Sequence, residues 1–225
     1  MLLKSLRYLA VPLFIGMVAT ASADTISFTG NLRTDATFTS CGLGCTLGPA
    51  NTDADYAQWA AVVQTFTVTS PSTMQAITFS YGGGFSGAGA TILQGGFEPY
   101  LSLFDSGGNF LASTFFETVC PPGARWNTNS GQCFDALLDG GILAPGEYQI
   151  AISAFGNMSF AENQGSGTLA DGFTGLGNLA QGEDLHYAFD VILSEPVATV
   201  PEPSTFLLLG CILAGLLFLE QKRNA

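Results

Sequence analysis

Lysine is absent from residues 24–200, arginine occurs there only as Arg33 and Arg125, and the chain's one histidine is His186. Those two cations stand against sixteen carboxylates between Asp24 and Glu195, which leaves this stretch near −14. A surface so poor in cations cannot neutralise a phosphate backbone, so nucleic acid is excluded as a partner. Lysine-based catalysis and Lys–Asn cross-links are excluded with it. Such a surface is soluble, attracts cations, and repels anionic polymers unless divalent ions bridge them. Helical periodicity is nearly missing from the body, and long apolar runs are confined to the two ends of the chain.

At the N-terminal end, Lys4 and Arg7 precede the apolar stretch 9–18 and the small-residue site Ala21-Ser22-Ala23. That order predicts a helical secretory signal peptide over 1–23, handled by the Sec export machinery, with cleavage between Ala23 and Asp24. A membrane anchor is disfavoured because the apolar core is short and Pro12 interrupts it.

At the other end, Pro201-Glu202-Pro203 leads into the uncharged run 206–219, followed by Lys222 and Arg223. As a helix these residues cover roughly 21 Å at about 1.5 Å per residue. That is short of a hydrocarbon core of about 30 Å, a gap that Ser204, Thr205 and local thinning narrow. A transmembrane helix is expected over 205–219, with its basic end in the cytoplasm and the body outside. The prolines keep any helix from running upstream. The run is apolar on every face, which speaks against a buried core helix.

The order Pro-Glu-Pro, short apolar span and basic end resembles the PEP-CTERM sorting signal of Gram-negative bacteria, here residues 198–225. The resemblance implies recognition by an exosortase, a membrane protease-transferase that cuts near Pro201-Glu202-Pro203. The protein would then pass through an inner-membrane intermediate to the cell surface, extracellular matrix or medium. Glu220 and Gln221 ahead of only two basic residues depart from the usual arginine-rich ending.

Between the ends lies an exported domain, residues 24–197, long enough for one sizeable core. Alternation of period two runs through 26–30, 62–69, 76–81, 148–153 and 186–193. In 62–69 one face is Val62, Gln64, Phe66 and Val68; in 76–81 the apolar face is Ile77, Phe79 and Tyr81. Strands at 101–104 and 110–114 flank the turn 105–109. Seven or eight short strands with one apolar face each predict an all-β, antiparallel, jelly-roll-like β-sandwich. A short helical turn is expected within 53–61, and 155–184 reads as a long Gly/Asn-rich excursion.

The segments Gly95-Gly96-Phe97-Glu98-Pro99-Tyr100-Leu101-Ser102-Leu103-Phe104-Asp105, Asp135-Ala136-Leu137 and Leu143-Ala144-Pro145-Gly146-Glu147-Tyr148 carry a second resemblance. They are similar to a group of PEP-CTERM proteins whose body resembles bacterial pre-peptidase C-terminal domains. That implies a jelly-roll sandwich, generally accessory and non-catalytic; some such domains bind calcium or polysaccharide. Glu98 replaces the group's aspartate, and the Cys120–Cys133 insert displaces its usual acidic pair.

Four cysteines, Cys41, Cys45, Cys120 and Cys133, lie in the exported part, where an even count reads as disulfides. Three connectivities are open, and local loop closure favours Cys41–Cys45 with Cys120–Cys133. Zinc is the competing reading of Cys-x3-Cys, disfavoured by the compartment and the lack of a nearby histidine. Cys211 sits in the apolar tail as packing.

Calcium is the sharpest ligand hypothesis. Asp53 and Asp55, with Asn51, supply alternating oxygens, and Asp105 or Asp135 could join them if the fold brings the turns together. A nucleophile arrangement would have to use His186 with Asp184 or Asp190 and Ser86, in a loop that lacks the strand-to-helix turn of a nucleophile elbow. Paired carboxylates for glycoside hydrolysis are not singled out, and Asp135 and Asp139 read as turn residues. Tyr56, Trp59 and Trp126 could stack on sugars.

The expected function is that of an exported, exosortase-processed envelope or matrix protein. Its role would be structural or adhesive and non-catalytic, in an exopolysaccharide-rich biofilm. A secreted hydrolase acting on polysaccharide and a permanently anchored surface protein are the alternatives.

Overall fold

Alternating side chains let a strand bury one face and leave the other free. The computed structural model, which describes residues 23–38, 52–116, 119–196, 210–212 and 220, builds the alternating stretches into two four-stranded sheets. One contains Ala23–Asn31 (β1), Ser72–Thr78 (β3), Leu137–Leu143 (β8) and His186–Ser194 (β10), in the order β1-β10-β3-β8. The other contains Ala61–Val68 (β2), Pro99–Asp105 (β6), Phe110–Phe115 (β7) and Gly146–Ala154 (β9), in the order β2-β9-β6-β7. Gly84–Phe85 (β4) and Thr91–Ile92 (β5) form a small separate hairpin. All pairings are antiparallel. The expected all-β, antiparallel architecture is therefore present.

The shared core takes Met74, Ala76, Tyr187, Phe189 and Val191 from the first sheet and Val62, Phe66, Leu101, Leu103, Ile150 and Ile152 from the second. The inward face expected for β2 is the one observed, including its polar member: Gln64 Nε2 donates to the Tyr187 hydroxyl at 3.0 Å. The expected helical turn is Asp53–Trp59 (α2), preceded in the chain by the single turn Leu32–Asp35 (α1). The excursion 155–184 carries two 3-10 turns, Phe160–Glu162 and Leu169–Asp171.

Two expectations are corrected. Ile77 and Phe79 do not face the other sheet; they pack outward with Ala188 against Ile92, Ala124, Leu137 and Ile192, while Met74 and Ala76 point in. From Ala76 to the end of β3 both faces are buried, although Gln75 before them is exposed, so the larger side chains there do not mark the inside. Strand β8 was also unforeseen, because Asp139-Gly140-Gly141 reads as a turn. Gly140 is the extra residue of a bulge, where a Cβ would come 2.6 Å from Met74 Sδ, and Gly141 has φ +68°.

The chain divides into Met1–Glu195 and Pro196–Ala225. The helix expected over 205–219 lies outside the described residues except at 210–212, which are helical. Among the described residues no helix is long and apolar enough to cross a membrane. The signal segment up to residue 22, including Ala21, also lies outside them. Ala23 and Asp24 are the first, exposed residues of β1, so the expected cut falls between them at the strand's end.

Candidate functional site

Four segments meet where β10 begins: 80–82, 94–98, 127–135 and 180–186. Their convergence starts from local chemistry in Gly95-Gly96-Phe97-Glu98-Pro99. At Gly96 a Cβ would stand 1.9 Å from the Ser80 carbonyl oxygen, so only glycine lets the chain pass. Phe97 then plugs into the inter-sheet core, fully buried, and Pro99 opens β6. Gly95 accepts a hydrogen bond from the Asp184 amide at 2.6 Å, and Glu98 accepts one from the Phe155 amide at 2.7 Å.

Asp135 fastens the next segment. Its carboxylate is fully buried and accepts from Thr78 Oγ1 at 3.0 Å, the Tyr81 amide at 3.0 Å and the Gly82 amide at 2.8 Å. Burial outweighs these donors and pushes its pKa up to about 6. Asn127, also buried, donates from Nδ2 to the Tyr81 carbonyl and accepts from the amides of Asn129 and Ser130. The Cys120–Cys133 disulfide closes this loop, with a Cα–Cα distance of 5.3 Å.

Between the loops 127–130 and 180–183 lies an open groove of about 280 Å³, lined by Tyr81, Asn129, Ser130, Gln181 and Glu183 among others. The Tyr81 hydroxyl donates to Ser130 Oγ at 2.9 Å. Burial raises the pKa of Glu98, and the charge of Glu183 raises it further. Burial likewise raises Glu183, with a smaller contribution from the charge of Asp184. His186 Nδ1 meets Asp184 Oδ1, and His186 Nε2 is buried without a hydrogen-bond partner among the described residues. The groove therefore offers amides, hydroxyls and carboxylate, and no cation is among the residues lining it.

The residues expected to bind calcium are held otherwise. Asp53 pairs with Arg33 at 2.7 Å at the start of α2, and Asp55 closes a capping box with Thr52. Asp105 shapes its own turn by accepting from Gly107 and Asn109. Among the described residues no three metal-capable side chains come together, so Asp53, Asp55 and Asp105 do not form one ligand set.

Nor does the nucleophile arrangement assemble. Asp190 lies under the β4–β5 hairpin, accepting from Ser27 Oγ at 2.5 Å and the Gly87 amide at 2.6 Å. Ser86 exchanges hydrogen bonds with Ala90 across the hairpin turn.

Of the candidate sugar-stacking aromatics, Trp59 is buried, Tyr56 lies under the Arg33 guanidinium, and Trp126 is 56% exposed. Asp135 corrects its reading as an ordinary turn residue, while Asp139 is exposed on β8. Cys41 and Cys45 lie outside the described residues, as do Pro201, Glu202, Pro203, Lys222 and Arg223. Glu98 and Glu183 were not singled out in advance. The available signal was a carboxylate inside Gly95-Gly96-Phe97-Glu98-Pro99.

No family model matches the chain, and no curated protein matches it.

Proposed function

We propose that the protein is an exported, exosortase-sorted building element of a Gram-negative envelope or extracellular matrix, structural or adhesive rather than catalytic. The observation that carries this reading is where its acids are spent: Asp135 and Asp190 hold loops onto a sheet, and Asp53, Asp55 and Asp105 hold a helix start and a turn. The strand order β1-β10-β3-β8 over β2-β9-β6-β7 is read as a jelly roll. It agrees with the pre-peptidase-like resemblance. Export and sorting rest on the signal segment and the Pro201-Glu202-Pro203 tail, and the matrix setting on an acidic surface that divalent cations could bridge.

Intact mass of the protein recovered outside its native cells tests this. A chain beginning at Asp24 and ending near Pro203 is expected. Recovery only from membranes with 206–225 still attached would leave a permanently anchored surface protein instead.

One observation favours a second reading, a polysaccharide hydrolase: Glu183 lines the groove, its charge acts on Glu98, and burial raises the pKa of both carboxyls. Release of new reducing ends from polysaccharide, lost in both Glu98→Gln and Glu183→Gln, would establish it.

A further inference from the structure

We propose that the groove between residues 127–130 and 180–183 binds a neutral, hydroxyl-rich glycan segment. The proposal rests on the matrix reading and names the site at which the protein would hold the polymer. Its first support is hydrogen-bonding type. The side chains of Asn129 and Gln181 have no partner among the described residues, and each amide both donates and accepts. A sugar hydroxyl also does both, so a row of hydroxyls matches these amides with Ser130 and Glu183.

The second support is charge. Glu183 lines the groove, the charge of Asp184 acts on Glu183 and that of Glu183 on Glu98, and no lining residue is a cation. Arg33 is engaged with Asp53, and the Arg125 guanidinium sits over Phe85 at 4.1 Å. A uronate or sulfated chain would meet uncompensated repulsion there, which a neutral chain does not.

The third is preorganisation. Asn127 is 6% exposed and holds the Tyr81 carbonyl and the amides of Asn129 and Ser130, while Asp135 holds the Tyr81 and Gly82 amides. The disulfide closes the same loop. Binding therefore costs little ordering of this wall. At about 280 Å³ the groove lies just under the roughly 300–1,000 Å³ of small-molecule pockets. It suits a short stretch of a sugar chain.

The test is calorimetric titration of the oxidised exported protein with neutral oligosaccharides (gluco-, xylo-, manno- and galacto-configured), with alginate and pectate oligomers, and with calcium chloride alone. At least one neutral series is expected to bind, with longer oligomers tighter than the monosaccharide. The double variant Asn129→Ala/Gln181→Ala should weaken that binding about tenfold, as loss of two hydrogen bonds implies, with an unchanged unfolding midpoint. No binding by any neutral series, binding by the acidic oligomers or calcium only, or equal binding by the double variant would each overturn the proposal. Failure here with the processed protein still found in the matrix leaves the matrix reading standing. Absence of the protein from the matrix, whatever the titration gives, sinks that reading instead.

Discussion

The outer faces of the two sheets are covered in opposite ways. Over β10 and β3 the cover is fastened by charge: Asp190 holds the Gly87 amide and Ser27 Oγ, Ala88 donates to the same hydroxyl, and Asp135 holds the turn after β3. Over β6 and β9 it is fastened by apolar packing. Phe104, Ala151, Ala161 and Phe173 are buried together, with Phe38 edge-on to Phe173 at 5.5 Å. In that second cover Ser102 Oγ is buried with no partner among the described residues. Each side thus leaves one buried polar atom over, Ser102 Oγ under the apolar cover and His186 Nε2 at the start of β10. An acidic chain can spend carboxylates as internal fasteners only where enough amides point at them.

The largest expected effect falls on the apolar cover. Phe173→Ala should cost about 3–5 kcal/mol by urea unfolding, since it empties a fully buried ring site. A cost under about 1 kcal/mol would mean the excursion adds little to stability.

Asp135→Asn should cost about 2 kcal/mol, because an amide nitrogen then faces backbone donors. The same residue supplies a pH signature. Its carboxyl is raised to about 6 in the fold from the ordinary aspartate value of 3.8, so the native state holds the extra proton between those values. Its contribution to stability is present in full below the unfolded value and is lost as pH rises through about 6. Asp35 and Asp171, held low chiefly by backbone amide donors, act oppositely, as does Asp105, held low first by the Asn109 side chain; their contributions are lost as pH falls below the ordinary carboxylate range. Unfolding midpoints should therefore peak between the two regimes. In Asp135→Asn the decline toward neutrality should flatten, and an unchanged profile would remove Asp135 as its source.

Ser102→Ala is the smallest change and has the opposite sign. Removing an unpartnered buried hydroxyl should leave stability unchanged or raise it by up to about 1 kcal/mol. A clear loss in the melting temperature would show that Ser102 has a partner in solution.

The same contrast explains what could be read from the chain. Tyr187, Phe189, Val191 and Leu193 announced the inner face of β10 because they form an unbroken large apolar row, whereas the alternate row is interrupted by His186 and Asp190. Ile77 and Phe79 misled because an outer cover dries the second face, and nothing local to 72–81 signals a hairpin forty residues from the loop that helps cover it. Gly140 and Gly141 hid β8, since a bulge and a turn ask for the same residue type. Asp135 lay between Phe134 and Ala136-Leu137-Leu138, an acid in apolar company, and that was the legible sign of burial. Glu98 was visible within its glycine-flanked motif, whereas Glu183 joins it only through tertiary contact.

The pairing of β1 with β10 gives the body a direction. Ala23 lies opposite Ser194 and Asn31 opposite His186, so the first and last residues of the sandwich leave from one pole. The groove, beside the start of β10, lies at the other, some nine residues of strand away. At about 3.3 Å per residue that is roughly 30 Å. A linkage made through either end of the sandwich and a ligand held in the groove would then occupy separate poles, so neither need shield the other. Chain ends and groove thus take opposite ends of the same strand, β10.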